Sequence, residues 1–273
     1  MSKFILLPPD IFLYLIKEHK VYFRNNILDT YTYKDDLNGN IIKVETNEDE
    51  TRYHYDSNNR LIREDNKVLN KTILIAYDSN GNIINKRTTG FTLKDNILVE
   101  ELETSDVAYI YNGDKLLSYG DNNIIYDILG RPTSFMGKTI TWAKVNQITK
   151  IDNLEFKYDS LGRRIKKGNI DFIYDSNNRL IKQGNLEFIY DHTGLAGIIN
   201  GITGYFYRKN AQGDIIALVD RSGNVIVKYV YDAWGNHKIF DNDGNEITSS
   251  THIGVINPFR YRGYYYDEET ELF

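Results

Sequence analysis

The chain has 273 residues, a hydrophobic fraction of 41%, 22 tyrosines and a net charge of −5. It contains no cysteine, which excludes disulfide bonds and thiolate metal sites. Acidic and basic residues are interspersed without a basic stripe, so we predict no nucleic-acid binding by this chain. The abundance of tyrosine suits a thin β-layer, because this side chain buries an apolar body while its hydroxyl stays at a wet edge.

Residues 1–30 form a segment that precedes the first repeats. Asp10 and two prolines interrupt its apolar stretch, so the segment does not have the continuous apolar region of an export signal. We predict a short helix near residues 10–20, with Asp10 as N-cap and an apolar face from Ile11 to Ile16, or alternatively an edge strand. No apolar run approaches the roughly 20 residues that a spanning helix needs, so we predict no membrane span.

A tyrosine followed by an acidic turn recurs through residues 31–256, which we predict to be a repeat array. In the most regular stretch these tyrosines, one of them replaced by Trp142, follow each other at steps of 16 residues. A fixed short period indicates that each unit is one supersecondary element that buries its apolar face against its neighbours. The phased pairs are Tyr126-Asp127, Trp142-Ala143, Tyr158-Asp159, Tyr174-Asp175 and Tyr190-Asp191. Further copies at other spacings include Tyr55-Asp56, Tyr77-Asp78 and Tyr231-Asp232.

Each unit reads Tyr-Asp-x-x-Gly/Asn-Asn/Arg, followed by Ile or Leu, and each position has a physical role. The aspartate accepts backbone N–H groups of an Asx-type turn. Gly81, Gly130 and Gly162 occupy a position where a positive φ is expected, and Asn59 and Asn178 replace glycine there as the next most tolerant residue. One period fits two short strands and two turns. We therefore predict an all-β fold of consecutive antiparallel hairpins that form one continuous twisted sheet.

Patterns of catalytic or metal-binding residues are weak in this sequence. The five histidines are scattered, with no HExxH motif and no closely spaced pair, so each is interpreted as a strand or turn residue. The turn segments DSNGN and DNDGN resemble calcium loops, but their glycine comes fourth and strands replace the helices of an EF-hand. We predict no catalytic residue, no metal site and no cofactor.

Two aromatic clusters have alternative interpretations. Near the C-terminus, alternation along a predicted strand places four side chains on one face: Arg260, Arg262, Tyr264 and Tyr266. That face is either an Arg–aromatic seam against a neighbouring strand, held by cation–π contacts, or a docking surface. The aromatic residues at 205–207, together with Trp234, either pack in the core or stack on a sugar ring.

The repeats resemble the YD-repeats of Rhs/YD-repeat proteins, from about residue 31 onward. The most specific match is NPFRYRGYYYDEET at residues 257–270, which is similar to the segment that opens the Rhs-associated core. The residues that carry this match are Pro258, Arg260, Tyr261, Arg262, Gly263, Tyr266 and Asp267. The resemblance implies a β-shell or cocoon that encapsulates a C-terminal toxin in bacterial competition, with secretion or cell-surface localisation of full-length members.

The sequence also departs from that family after the core motif begins. Glu271 stands where the family usually has glycine, and the chain ends at Phe273, before the self-cleavage motif and the toxin domain. We therefore expect a truncated, non-enzymatic shell segment, with residues 257–273 as the start of the core. The expected partners are the toxin domain or the rest of the shell, and other copies through open strand edges. The alternative is a cell-surface or wall-associated module that binds glycan.

Overall fold

The computed structural model describes residues 2–5, 16–23, 26–46, 49–94, 97–144 and 147–273. The chain is nearly all β, so the predicted all-β fold is confirmed. Each strand pairing with a described register is antiparallel and joins strands that follow one another in the sequence, as consecutive hairpins require. Within the described part, no helix is long and apolar enough to cross a membrane.

The chain divides into two compact units. Unit 1 contains Met1–Asp106 and Tyr207–Phe273, and unit 2 contains Val107–Phe206. Two strands, β9 (Ile97–Asn112) and β22 (Thr203–Lys209), run across the points where the chain passes from one unit to the other.

Unit 1 combines the first strands of the chain with its C-terminal segment. The early strands are β1 (Ser2–Ile5), β2 (Glu18–Phe23), β3 (Asn26–Asp35), β4 (Ile41–Glu45), β5 (Glu50–Tyr55), β6 (Leu61–Asn66), β7 (Lys71–Tyr77) and β8 (Ile83–Lys94). The late elements are β23 (Ile215–Val219), β24 (Val225–Tyr231), β25 (His237–Phe240), the short helix α1 (Ile253–Ile256) and a 3-10 turn at Tyr261–Gly263.

Unit 2 contains the most regular repeats. Its strands β10 to β15 are Lys115–Tyr119, Asn122–Asn123, Ile125–Tyr126, Pro132–Phe135, Lys138–Lys144 and Gln147–Ile151. Its strands β16 to β21 are Leu154–Tyr158, Arg164–Lys167, Ile170–Tyr174, Leu180–Gln183, Leu186–Asp191 and Gly194–Asn200.

The strands fall into two sheets, whereas the sequence predicted one continuous sheet. Strands β1 to β11 form an 11-stranded sheet in chain order, and β12 to β25 form a 14-stranded sheet in chain order. The two sheets are separated at Ile124, which lies between the two-residue strands β11 and β12. The backbone N–H of Ile124 donates to Leu117 O at 2.8 Å. Its side chain is buried, so this position is used for packing.

The helix expected near residues 10–20 lies mostly outside the described residues. Its last part, from Glu18 onward, is wrong as a helix, because Glu18–Phe23 is strand β2. Alternation of polar and apolar residues in this segment matches a strand with one buried face, since His19 and Val21 are buried. Strand β1 pairs only with β2 among the described strands and is thus an edge strand.

The core of unit 2 follows the same 16-residue step as the tyrosines. Five apolar side chains at successive steps are each no more than 7% exposed: Ile124, Ile140, Phe156, Phe172 and Phe188. Around Phe156 the cluster includes Ile140 and Ile151, with Trp142 and Tyr158 packed against it. Each hairpin therefore buries its apolar residue against the equivalent region of its neighbours.

Candidate functional site

The turn that follows each repeat tyrosine is built around one carboxylate. In the turn after Tyr77, Asp78 Oδ1 accepts the backbone N–H of Asn80 at 2.9 Å and of Asn82 at 2.8 Å. Its Oδ2 accepts the side-chain amide of Asn82 at 3.0 Å, and these bonds lower the pKa of Asp78. The backbone bonds recur after repeat tyrosines at Asp56, Asp127, Asp159, Asp175 and Asp232, and after other strands at Asp36, Asp220 and Asp241. At Asp56, Asp127, Asp159 and Asp175 an arginine Nε replaces the amide as the donor to Oδ2.

This arrangement accounts for the aspartates that resembled calcium ligands. Asp78 and Asp241 direct both carboxylate oxygens to N–H groups of their own turns. Within the residues that the structure describes, no group of three or more His, Asp or Glu side chains could hold a metal ion. The turn positions Gly81, Gly130 and Gly162 have φ of 92°, 78° and 82°.

The repeat aromatic residue ties its hairpin to the preceding one. Tyr158 donates its hydroxyl to Ile148 O at 2.8 Å, and Tyr174 donates to Arg164 O at the same distance. Trp142 stands where the other repeats have tyrosine. Its indole N–H donates to Pro132 O at 2.7 Å, so it makes the same hydrogen bond to the preceding hairpin as the tyrosine hydroxyls do. Equivalent bonds begin at Tyr55, Tyr77, Tyr126, Tyr190 and Tyr231.

A basic residue from the preceding turn covers the same aromatic ring. The guanidinium carbon of Arg163 lies 5.1 Å from the ring centre of Tyr174, and that of Arg179 lies 4.7 Å from Tyr190. Such placement over a ring is a cation–π contact.

The strand register also shifts at the repeat aromatic residue, as between Lys157 and Tyr158, and a bulge of this kind increases the local twist of the sheet. We call this set of turn, hydroxyl and cation contacts the repeat ladder.

The repeat at Tyr190 has a different turn. Tyr190 keeps its bond to Leu180 O, at 2.9 Å. Asp191, however, pairs with Gly194 across a tight hairpin, and its Oδ1 accepts the N–H and hydroxyl of Thr193, each at 2.7 Å. The sequence DHTGL keeps the Asp-x-x-Gly spacing of the other turns but has Leu195 at the position where they have Asn or Arg, the residue whose side chain donates to the second aspartate oxygen.

Arg260 is the centre of the C-terminal motif. It is 1% exposed, and its Nη2 donates to Val255 O at 2.5 Å and to Glu268 Oε2 at 2.7 Å. Its Nε donates to Asn257 O at 3.1 Å, while its Nη1 contacts His237 Nε2. Partial burial of His237, together with the charge of this guanidinium, lowers its pKa to about 4.

The strand predicted through Arg260 and Tyr266 is wrong, because this segment turns back on itself. Phe259 and Tyr265 form an antiparallel bridge around the 3-10 turn, in which Arg262 has φ of 53° and Gly263 has φ of 69°. Left-handed backbone at two successive residues ends any extended run. Arg260 does stack on Tyr266, at 4.6 Å, so the Arg–aromatic contact exists within the motif and not against a neighbouring strand.

The remaining motif residues hold the turn in unit 1. Tyr261 donates its hydroxyl to Ala233 O at 2.8 Å. The backbone N–H of Arg262 donates to Asp214 Oδ1 at 2.9 Å. Backbone bonds complete the segment, from Gly263 N to Arg260 O, from Tyr266 N to Pro258 O and from Asp267 N to Leu272 O.

A second link inside unit 1 was not identified from the sequence. Glu64 is fully buried, and its carboxylate accepts the N–H of Ala233 at 2.9 Å and the amide of Asn66 at 3.1 Å. Burial raises the pKa of Glu64 to about 7. Close by, Lys71 Nζ contacts Asp232 Oδ2 at 3.0 Å. No spacing pattern could have indicated this link, since its two halves are 169 residues apart.

The aromatic residues considered for sugar stacking lie in different settings. Tyr205 and Phe206 belong to unit 2, whereas Tyr207 and Trp234 belong to unit 1. Tyr207 donates its hydroxyl to Asn257 Oδ1 at 2.7 Å. The ammonium group of Lys86 lies 4.6 Å from the ring centre of Trp234 and covers that face of the indole.

Curated proteins with similar sequences are much longer than this chain. It is 32% identical over 239 residues to the tRNA3(Ser)-specific nuclease WapA of Bacillus spizizenii, and equally so to the tRNA nuclease WapA of Bacillus subtilis. Each match covers 80% of this chain but 9% of the relative. No family model matches the chain.

Solved structures show the same fold over nearly the whole chain. A structure of TcdB2-TccC3 without its hypervariable C-terminal region matches 98% of this chain with a TM-score of 0.61 and 15% identity. The Tc holotoxin pore of Photorhabdus luminescens matches 97% with a TM-score of 0.55 and 16% identity. This chain covers 16% of either structure. Together, the sequence relatives and the fold support an Rhs-like protein that corresponds to a short part of its longer relatives.

Proposed function

We propose that this chain is a non-enzymatic wall segment of an Rhs-like toxin shell, which encloses or presents a C-terminal passenger polypeptide. The repeat ladder carries this proposal, because each of its tyrosine bonds joins one hairpin to the backbone of the preceding one. A wall of this kind extends by adding hairpins and does not depend on a central core. The fold likeness over 97–98% of the chain supports the same role.

The mechanism of such a wall is exclusion. Antiparallel pairing on both sides of an inner strand satisfies its backbone N–H and C=O groups, so such a strand offers a protease no free edge to pair with. One face of the regular repeats carries cross-strand ion pairs, such as Lys166–Asp171 at 3.3 Å and Lys182–Glu187 at 3.0 Å. A charged face suits contact with water, while the opposite face carries the phased apolar residues.

Protection of a passenger tests this role. A short, protease-sensitive polypeptide is joined to Phe273 of the full chain, and its cleavage rate is compared with that of the free polypeptide. We expect cleavage of the joined form to be several-fold slower. An Arg260→Ala variant, in which the C-terminal motif loses its centre, should restore faster cleavage. Equal rates for the free and joined forms would contradict the shell role.

The nuclease activity named for the WapA relatives belongs to those whole proteins, of which this chain covers 9%. We propose that the present segment contributes wall and not catalysis. Incubation of the purified chain with total tRNA should leave the RNA intact over hours. Cleavage that persists through purification and stops with a substitution in this chain would overturn the non-enzymatic assignment.

Self-association is the first of two further interactions that we propose. The edge strand β1 pairs on one side only within the described sheet, and unpaired edges favour association between chains. Light scattering should therefore show oligomers whose mass rises with concentration. A monodisperse monomer across the concentration range would argue against association through this edge.

Binding to a cell-surface glycan is the alternative role for the array. In this reading the chain is retained by isolated bacterial walls, and Trp234→Ala weakens retention. Because Lys86 covers one face of the Trp234 ring, Lys86→Ala should strengthen retention if that face stacks on sugar. Absence of retention for the unmodified chain and for Lys86→Ala would dispose of this role.

A further inference from the structure

Asp232 forms one of the repeat turns, but its surroundings differ from those of the turn aspartates that pair with arginine. Its side chain is 1% exposed, whereas those four carboxylates are 19–21% exposed. Each of the four pairs with an arginine of its own turn, while Asp232 Oδ2 contacts Lys71 Nζ at 3.0 Å. A lysine amine becomes a nucleophile when it loses a proton, whereas a guanidinium stays protonated in proteins. Asp232 therefore has a neighbour that can react with it.

The turn holds the two carboxylate oxygens of Asp232 in different ways. Oδ1 accepts the backbone N–H groups of Trp234 at 2.9 Å and of Asn236 at 3.0 Å. Oδ2 accepts the side-chain amide of Asn236 at 2.8 Å, beside its contact with Lys71. Two backbone donors on one oxygen stabilise the negative charge that develops there when a nucleophile adds to the carbon. Attack at Cγ thus leaves Oδ1 bonded to these donors and makes Oδ2 the leaving oxygen.

A group that can transfer protons lies next to this pair. Glu64 is fully buried, and its Oε2 accepts the N–H of Ala233, the residue that follows Asp232, at 2.9 Å. Burial raises the pKa of Glu64 to about 7, and the charges of Asp232 and Lys71 also act on it. Near neutral pH the carboxyl is therefore present in both protonation states and can give or take a proton. Burial also lowers the pKa of Lys86 in the same cluster, so these groups are weakly solvated.

Neighbouring contacts hold the amine and the carboxylate in place. Lys71 stands opposite Asn66 in the ladder between β6 and β7. The Asn66 amide donates to Glu64 Oε1 at 3.1 Å and to Tyr231 O at 3.0 Å, so it joins β6 to the end of β24, directly before Asp232. Groups held in contact react as if at an effective concentration of about 10⁵ M or more, which favours an amide between them over its hydrolysis.

We propose that Lys71 and Asp232 form an intramolecular isopeptide bond, with Glu64 as the proton-transferring group. The Lys71 ammonium first gives a proton to Asp232 Oδ2. The neutral Nζ then attacks Cγ, so that a C–N bond forms. Ionised Glu64 takes a second proton from Nζ and delivers it to Oδ2, and the bond from Cγ to Oδ2 breaks. Oδ2 leaves as water, Glu64 is regenerated, and the product is one secondary amide.

The bond joins β7 to the turn after β24, across 161 residues. A covalent link across so long a loop restricts the unfolded chain in the way that a disulfide does, here in a chain without cysteine. This inference goes beyond the proposed wall function and does not depend on it.

Mass spectrometry of the folded full chain tests the inference. After incubation at neutral pH and denaturation, the chain should be lighter than its sequence requires by one water. Trypsin should then release a branched peptide that contains Lys71 and Asp232. Lys71→Arg keeps the positive charge but has no amine that can react, so it should show the full sequence mass. Asp232→Asn should lose one ammonia in place of one water, because the leaving group is then the amide nitrogen.

Two controls separate this bond from other chemistry. A succinimide at an Asp-Gly sequence, such as Asp243-Gly244, also removes one water, but it persists in Lys71→Arg and gives no branched peptide. Lys182 and Glu187 also lie 3.0 Å apart, but their side chains are 43% and 53% exposed, so they should give no branched peptide. The full sequence mass in the unmodified folded chain would overturn the assignment, as would a loss of one water that Lys71→Arg retains.

Glu64→Gln tests the proton transfer separately from the contact of the two reacting groups. Formation of the branched product in this variant should be slower by about tenfold or more, since glutamine cannot take up the proton from Nζ. Circular dichroism confirms that the variant is folded before its mass is followed with time. Formation at the rate of the unmodified chain would overturn the role of Glu64.

Discussion

The two units are stabilised over different distances along the chain. In unit 2, bonds such as that from Tyr158 to Ile148 join residues 10 apart, and five successive repeats make them. In unit 1, the bond from Ala233 to Glu64 joins residues 169 apart and has no counterpart in another repeat. Local bonds recur with the sequence period and are individually replaceable. A bond between distant residues occurs once, so no equivalent bond in a neighbouring hairpin compensates when it is lost. We expect unit 1 to be the more sensitive to single substitutions.

Arg260→Ala should produce the largest loss of stability. Removal of a buried guanidinium leaves Val255 O and Asn257 O without a donor and empties the space against Tyr266. Breaking such a buried network costs about 3–5 kcal/mol of the free energy of unfolding, measured in urea. Hydrogen exchange should accelerate in β24 and β25 and stay unchanged in β16 to β18.

The matched control for Arg260 is the arginine two residues later. Arg262 is 43% exposed in its side chain and lies 3.7 Å from Asp214, so Arg262→Ala should cost less than about 1 kcal/mol. Similar losses for the two variants, or faster exchange in unit 2 for Arg260→Ala, would remove the distinction between the units.

Glu64 and His237 in unit 1 should give opposite pH dependences. Glu64 has a raised pKa of about 7, so it stays protonated in the folded chain while the unfolded chain ionises near 4.5. Its contribution to stability therefore falls as the pH rises from about 4.5 to 7. His237 has a lowered pKa of about 4, so the unfolded chain gains the proton first and stability falls as the pH drops below 6.5. Between pH 4.5 and 6.5 the two effects oppose each other.

Glu64→Gln should expose the histidine contribution. The free energy of unfolding of this variant should fall by about 2 kcal/mol between pH 6.5 and 4.5, whereas the unmodified chain changes little. Urea denaturation at three pH values in this window measures the difference. Glu246→Gln is the control, because Glu246 is 43% exposed and paired with Lys238. An unchanged pH profile in Glu64→Gln would show that Glu64 ionises normally in the folded chain.

The sequence predicted the features that recur with its period and missed those that do not. The 16-residue spacing of the tyrosines, which composition alone cannot produce, predicted the strands that end at Tyr158 and Tyr174. The Glu64 link was missed because a local period carries no information about which distant hairpins meet. The region around Arg260 was interpreted as a strand because its residues alternate, yet the φ values of Arg262 and Gly263 create a turn. Alternation of side-chain types along the sequence indicates which residues share a face of a strand, but it does not indicate where the backbone reverses direction.

Two turn glycines offer the same substitution in both units. Gly130 in unit 2 and Gly235 in unit 1 have φ of 78° and 87°, so alanine is strained at either position. At Gly130 an added Cβ meets nothing within 4 Å, and Gly130→Ala should cost about 1 kcal/mol. At Gly235 the Cβ would lie 2.9 Å from Tyr261 Cδ1, so overpacking should raise the cost of Gly235→Ala to about 2–4 kcal/mol. Equal costs in thermal unfolding would mean that Tyr261 moves aside freely.

The smallest expected effect tests whether successive hairpins of unit 2 are stabilised by the hydrogen bond from the repeat aromatic residue or by packing of its ring. Trp142→Tyr supplies a hydroxyl where Pro132 O now accepts the indole N–H, whereas Trp142→Phe leaves that carbonyl without its donor. Trp142→Phe should therefore be about 1 kcal/mol less stable than Trp142→Tyr, and Tyr158→Phe should lose a similar amount. If Trp142→Phe matches Trp142→Tyr, ring packing alone suffices. The recurrence of tyrosine would then reflect burial beneath Arg131 and its equivalents and not the hydroxyl bond.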